Sequence, residues 1–507
     1  MSRIEQRVCV IRSSCLRIVA ACMLLLGTAS AAPTITLSKK IGPPTSKILV
    51  SGSDFEPNVG VDIYFDTKDE ALVVTNNEGA FHNAEIHATS SAHPGQHWVT
   101  ALERNNDKGD QESFVVNTNW PQFNFDASHS GVNPYENVLD QSTVSKLRLE
   151  YTYATGSPIQ SSPTVVNGIA YLAGAESYAG YIYAFDTRRR KLLWTFKPEN
   201  SVYSSTVVVD GVVYFATDEM FSHVHALDAL TGRQLWSVQV GTGGASALTV
   251  ANGIIYFESG ELYALDSRTG NVLWSDAIFA FGSPAVANKI VYIGIGGDYG
   301  ELTALDALTG TTLWTFSDPQ ALYFGGATVV NGVVYAGGGD GNLYAFNAQT
   351  GAVIWKTGVD SYEQPCQAVY NGVVYVGSYG GTVYAVNAWT GTIIWTFQVG
   401  EIIDSSPAVA DGVVYVTALF GSIYALNADD GTVLWEYLIS DYVDGNPVVA
   451  NGVLYVGSSV NDKDQGHLWA FGLGGESPSN VKVVQRRSTS TLHPDLTLRP
   501  FSSSTTP

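Results

Sequence analysis

Asp404 and Asp444 stand at the same place in two successive copies of a repeat, each eight residues before the glycine of an Asp-Gly or Asn-Gly pair. Counting back eight residues in the other copies, from Lys289 in the one that lacks the glycine, gives Gln160, Tyr203, Ala245, Phe281, Phe324 and Gln364. Two carboxylates held close together raise the pKa of one of them, as in a catalytic dyad, or hold a cation between them. With Gln160 and Gln364 on either side, and Tyr203, Phe281 and Phe324 opposite, they describe a concave site for a cation or for a polar ligand with one flat apolar face. Asp404 and Asp444 are then the candidate metal ligands. The plainer alternative is a water-filled opening with solvated polar side chains and aromatics packed between repeats. No general base, nucleophile and oxyanion donors stand at a recognisable spacing, which favours that alternative and leaves no catalytic residue assigned.

Other chemistry-bearing residues fall into ordinary roles. His82, His87, His93 and His97 are unevenly spaced and lack a Cys or carboxylate pattern, so they read as solvated strand and loop histidines. His223, His225 and His467 lie in no nucleophile motif. The runs Gly294-Ile295-Gly296-Gly297-Asp298 and Gly337-Gly338-Gly339-Asp340-Gly341 have no following helix to hold a phosphate, so they read as hairpin turns. Cys9, Cys15 and Cys22 precede the expected mature chain. That leaves Cys366 alone, beside Pro365 and Gln367, as a packed thiol without a base or a disulfide partner.

The elements that must position the candidate site come from the repeat. Ala304, Asp306, Thr309, Gly310 and Trp314 mark one copy, and the spacing recurs up to Trp236, Trp274, Trp355 and Trp395, with looser copies ending at Trp194 and Trp435. Asp or Asn opens a turn, Gly supplies the positive φ that closes it, and Trp offers apolar surface that one small sheet cannot bury alone. Each repeat also carries an Asn-Gly or Asp-Gly pair between apolar strands, a hairpin signature, with Asn288-Lys289 as the variant. Eight hairpins stand against seven docking tryptophans. The last repeat ends at Ala470-Phe471-Gly472 without a following Trp, whereas the strand-like run from Leu147 to Tyr153 precedes the first hairpin and places Tyr151 in the Trp slot. An all-β, eight-bladed propeller over 147–475, closed by pairing the first strand with the last blade, accounts for both leftovers.

Residues 33–118 follow another pattern, short strand candidates between Gly, Pro and Asn turns, the expectation for an immunoglobulin-like β-sandwich. Residues 119–146 read as a connector, and the Ser-, Thr- and Pro-rich tail 476–507 as disordered. Residues 1–31 have the basic start, short apolar run and Ala29-Ser30-Ala31 end of an export signal, so the chain is expected outside the cytoplasm, extracellular or periplasmic. The net charge of −21 argues against nucleic acid and against anionic lipid surfaces. No stable membrane insertion is expected, and a monomer is.

The Ala-x-Asp-x-x-Thr-Gly-x-x-x-Trp spacing, with Trp120, Gly131-Val132-Asn133-Pro134 and Val144-Ser145-Lys146-Leu147 as lead-in, resembles the PQQ-like (pyrroloquinoline quinone) propeller repeat. The run from Ser51 through Phe55 and Pro57 to Tyr64 is similar to small bacterial immunoglobulin-like modules. The first resemblance implies one of two functions. Quinoprotein dehydrogenases hold PQQ and Ca²⁺ over the propeller axis, whereas proteins similar to the assembly factor BamB use the ring as a scaffold without a cofactor. The sequence lacks the adjacent cysteines and the haem motif of the first branch. Arg188, Arg189, Arg190, Lys191, Arg233 and Arg268, which could meet the cofactor's three carboxylates, fall in outer turns. The expectation is therefore an exported scaffold without a cofactor, binding a protein or a surface polymer. A PQQ- and Ca²⁺-dependent oxidoreductase is the alternative, and exposed aromatics such as Trp389 and Tyr379 leave glycan binding open.

Overall fold

The computed structural model describes residues 31–106, 108–176, 179–217, 222–241, 243–244, 246–278, 280, 282–297, 299–360, 366–460 and 465–474. The expected export signal apart from Ala31, the expected tail 476–507, and the candidate residues Phe281 and Gln364 lie outside these.

Each repeat is one four-stranded antiparallel sheet. In the fourth, Ala285–Ala287, Ile290–Ile295, Gly300–Asp306 and Thr312–Asp318 are hydrogen-bonded in that order. The Asn-Gly pairs adopt positive φ at both positions, 51° at Asn331 and 78° at Gly332, as the tightest hairpin turn demands. The second turn is held by Asp306, whose Oδ1 accepts the N–H groups of Leu308 and Thr309. Register then shifts between Ala304, opposite Trp314, and Leu305, opposite Thr312. That bulge leaves Leu313 unpaired and half exposed while the indole is turned to the next sheet.

Docking between sheets is specific. Trp314 Nε1–H donates to the Ala348 carbonyl in the next sheet's turn at 3.0 Å, and the Tyr292 hydroxyl donates to the same oxygen at 3.1 Å. The indole lies over Gly351, where a Cβ would come within 2.5 Å of the ring. Trp194, Trp236, Trp274, Trp355 and Trp395 repeat the contact onto the carbonyls of Ala229, Ser267, Ala307, Ala388 and Ala428. Trp435 has no such turn ahead of it and donates instead to Leu147, at the head of the strand Arg148–Thr155.

That strand completes the last sheet, pairing with Gly466–Gly472 and placing Tyr151 opposite Ala470 as Trp314 stands opposite Ala304. Tyr151 packs on Phe185 of the first sheet, 5.7 Å between ring centroids, beneath the Arg190 guanidinium. The eight sheets touch through their first strands in cyclic order, the last (Val448–Ala450) against the first (Thr164–Val166). The ring is a β-propeller. The core cluster at its seam includes Leu172, Ala425, Val456 and Phe471, all excluded from solvent.

Ahead of the ring, a three-stranded sheet (Thr34–Leu37, Lys47–Ser53, Phe81–His87) faces a five-stranded one built around Gly60–Phe65 and Gly95–Glu103. Ile48, Val50, Val61, Phe65, Val99 and Phe114 form their common core. Two of its strands, Phe81–His87 and Gly109–Val116, give no clear sequence signal because polar residues interrupt their apolar side. The sandwich meets the ring at the hairpin end. Asn451 accepts the Thr118 N–H, Asn167 accepts from Asn117, and Asn137 donates to the carbonyls of Ser90 and Ala92.

Truncating a docking ring tests this arrangement. Trp355→Ala should lower unfolding free energy by about 3–5 kcal/mol through the cavity it leaves. Trp355→Phe should cost less, because it keeps most of the buried area and loses the N–H bond to Ala388. Equal urea midpoints for both variants and the parent would show that the indole is not a structural contact.

Candidate functional site: the axial pocket

The first strand of every sheet presents an inner edge to the axis, and its N–H groups need partners. Residues 120–133 supply them by running once around the inside of the ring. Trp120 exchanges two backbone bonds with Val165. The carbonyls of Pro121, Ala127, Ser128, Ser130 and Gly131 accept the N–H groups of Val208, Val286, Val329, Val369 and Val409. Gln122 Oε1 accepts from Val250, and Asn133 Nδ2 donates to the Val449 carbonyl. One valine in each of the eight first strands is thus engaged. The segment expected to be a plain connector is a plug across the channel. Its apolar content is too low to mark it in the sequence, and its bonds run through backbone that sequence does not display.

The plug carries His129 to the axis, fully buried. Its Nε2 lies 2.8 Å from Thr249 Oγ1 and its Nδ1 3.9 Å from Cys366 Sγ. Burial lowers the imidazole pKa to about 4 and raises the thiol to about 12. Cys366 therefore has an imidazole neighbour that its sequence context did not reveal, but both groups are neutral and the thiol is not activated.

On the side away from the hairpins the plug leaves a pocket of about 280 Å³, with Phe123 in its wall. Gln160, Tyr203, Asp404 and Asp444 all line it. Asp444 is part-buried, which raises its pKa, and the Gln160 side chain bonded to it works the other way. Phe324 is a correction to the expected set. It is fully buried, 5.1 Å from Tyr344 and 6.0 Å from Phe316 between ring centroids, and serves the core between the fourth and fifth sheets. Its backbone bridges Gly338, so the chain there enters the fifth sheet along a different path from the one equal spacing implied.

Below the rim runs a belt that the count of eight missed. Cys366 N–H donates to Ser406 Oγ, Ser406 N–H to Asn446 Oδ1, Asn446 N–H to Ser162 Oγ, and Ser162 N–H to Ser205 Oγ, at 2.8 to 3.0 Å. Each bond joins one sheet to the next, and all but the Cys366 end of this chain comes from the second polar residue of a Ser-Ser or Gly-Asn pair. That pairing was the available sequence signal. A further buried acid, Glu258, is raised to about 7 by desolvation, with the Gly260 N–H on its Oε1.

The residues present fit neither of the expected inorganic or quinone occupants well. Among the described residues no group of three His, Cys, Asp or Glu side chains could hold a metal ion, so Asp404 and Asp444 lack a third such ligand. The described pocket wall contains no Lys or Arg and presents two carboxylates, the wrong charge for a tricarboxylate cofactor. Arg188, Arg189 and Arg190 lie in the turn between the third and fourth strands of the first sheet, outside the pocket wall.

The sequence model of the family described as outer membrane protein assembly factor BamB matches residues 136–294, 220–365 and 363–466, more than half of the chain. The chain belongs to that family. No curated protein matches it in sequence. Among solved structures, BamB from Moraxella catarrhalis is 21% identical, with a TM-score of 0.53 over 64% of this chain and 97% of its own. A europium-containing methanol dehydrogenase is 15% identical, with a TM-score of 0.60 over 70% of this chain and 98% of its own. Quinohemoprotein alcohol dehydrogenase from Comamonas testosteroni is 15% identical, with a TM-score of 0.59 over 74% and 83%. At these identities the likeness establishes the PQQ-like propeller fold and leaves its use to the site. Among the described residues no helix is long and apolar enough to cross a membrane.

Buried neutral histidines make stability depend on pH. His129 and His225 both fall from an ordinary value of 6.5 to about 4 in the folded chain. Their contribution is complete above pH 6.5 and is lost as pH falls toward 4, because only the unfolded chain takes up the protons. The loss is on the order of 3 kcal/mol for each ring. Urea unfolding at pH 7 and pH 4.5 should show a smaller acid-induced drop for His129→Gln than for the parent. Identical drops would mean that His129 is not held neutral at the axis.

Proposed function

We propose that this chain is an exported, non-catalytic binding propeller whose partner is a protein or a surface polymer. In this reading 33–118 is an immunoglobulin-like module that serves as spacer or second binding unit, 119–146 the plug and its exit, and 147–475 an eight-bladed ring. The mature protein begins near Ala31 and acts as a monomer. The observation that carries the reading is the axial pocket. It is walled by hydroxyls, two amides and two carboxylates, is blocked behind by the connector, and offers a cofactor of high negative charge no described cation. The family match to an assembly factor supports the same side of the division within PQQ-like propellers.

Adding PQQ and Ca²⁺ to the purified protein tests it directly. The expected outcome is no bound-quinone absorbance and no dye-linked oxidation of alcohols or sugars. A stoichiometric quinone spectrum accompanied by turnover would replace the scaffold with a dehydrogenase.

A further inference from the structure

The belt beneath the pocket rim is only partly satisfied. Ser162 and Ser205 each accept a backbone N–H through Oγ, and a hydroxyl that accepts still has its own proton to donate, whereas the Ser406 hydroxyl is turned to the Cys366 thiol. Asn446 lines the pocket at 7% exposure. Its Oδ1 is taken by Ser406, yet its buried Nδ2 has no partner. Buried amide donors are rarely left so, and one in a pocket wall marks the place of an acceptor. The floor of the pocket therefore calls for oxygen atoms, and the rim, with Asp404 and Asp444, calls for positive charge. Tyr203, nearly half exposed at the rim, and Phe123 in the wall add two aromatic rings.

Few small molecules meet all three demands. A bare metal cation brings no acceptor to Asn446 and finds, among the described residues, no third His, Cys, Asp or Glu ligand. A lysine side chain brings charge but no oxygen. A neutral sugar brings no charge complementary to the two carboxylates, and an acidic one is repelled. We propose that the axial pocket binds an amino sugar, its ammonium at Asp404 and Asp444, its oxygens on the serine–asparagine belt and its flat C–H face on an aromatic ring. The volume, about 280 Å³, sits at the small end for ligand pockets and suits one sugar ring. The Tyr203 ring face also attracts an ammonium, and the overall charge of −21 draws a cationic glycan to the surface. The proposal rests on the reading of the ring as a binder, and names the partner as an aminated polysaccharide.

Calorimetric titration with fully deacetylated chitotriose, its N-acetylated form and spermidine, at pH 6, separates the contributions. The deacetylated sugar should bind, with the acetylated sugar and the sugar-free amine each at least tenfold weaker. Asp404→Asn with Asp444→Asn should weaken binding of the deacetylated sugar at least tenfold. Asn446→Ala should weaken it several-fold, and Ala247 shows that alanine is accommodated at the equivalent place in another repeat. Thermal midpoints close to the parent's would confirm that both variants are folded. Equal binding of acetylated sugar or spermidine, no binding of chitotriose, or unchanged binding by the folded aspartate variant would each overturn the assignment. If chitotriose fails and PQQ also fails to bind, the scaffold reading survives and only this inference falls. A quinone spectrum with turnover removes both.

Discussion

A single backbone oxygen in the turn of the next sheet, reached at five junctions by both a tryptophan and a tyrosine of the sheet before it, carries this structure. The Ala348 carbonyl receives the Trp314 indole N–H and the Tyr292 hydroxyl together, and the Ala307 carbonyl receives those of Trp274 and Tyr256. The oxygen is available because an Asp or Asn side chain holds the turn open, and the ring can cover it because glycine follows with positive φ and no Cβ. A four-stranded sheet has two apolar faces and cannot bury either by itself. Every unit is thus stable only against its neighbours, and the stack must close. At the seam there is no spare turn, so the Leu147 carbonyl takes its place and brings the first strand with it.

Closure creates a second problem at the axis. Eight short inner strands converge with unpaired N–H groups, and no blade can serve another's inner edge. The segment 120–133 meets that need in seven sheets with backbone carbonyls and the Gln122 side-chain oxygen, bonds the Val449 carbonyl of the eighth through Asn133 Nδ2, and in doing so turns an open channel into a pocket with a back wall. The same segment continues into the strand pair Val132–Asn133 and Ala408–Ala410, which ties the sandwich side of the chain to the seventh sheet. Function at the axis is therefore set as much by what fills the ring as by the ring.

The periodic part of this design was readable from residues alone. Asn-Gly pairs, the Asp-Thr-Gly turn and the tryptophans fix strand number, register and docking, because each is a local requirement with few alternative residues. Tyr151 could be placed because its neighbours left only one vacancy. The tyrosines that share the docking carbonyl were not read, since a Tyr within Val-Val-Tyr looks like any apolar strand residue. At the site, equal counting found Gln160, Tyr203, Asp404 and Asp444, whose sheets keep the common path. It failed at Phe324, where Leu322 takes a positive φ and the chain enters its sheet differently. His129 and Phe123 were missed because the plug has no repeat of its own, and its course depends on edges supplied by residues far away in sequence.

The two carboxylates and the belt share one arc of the pocket. That arc is built from the short segments that lead into the first strands. Those are the segments that the bonds from Cys366 through Ser406, Asn446 and Ser162 to Ser205 tie together. The series stops at Ala247, which has no oxygen to accept the next N–H. Stitching therefore covers the arc that bears Asp404, Asp444 and Gln160, and holds it before any ligand arrives. A site fixed in advance loses less on binding than one that must be assembled, so the unpaired amide of Asn446 inside that arc has a defined partner position rather than a choice of several.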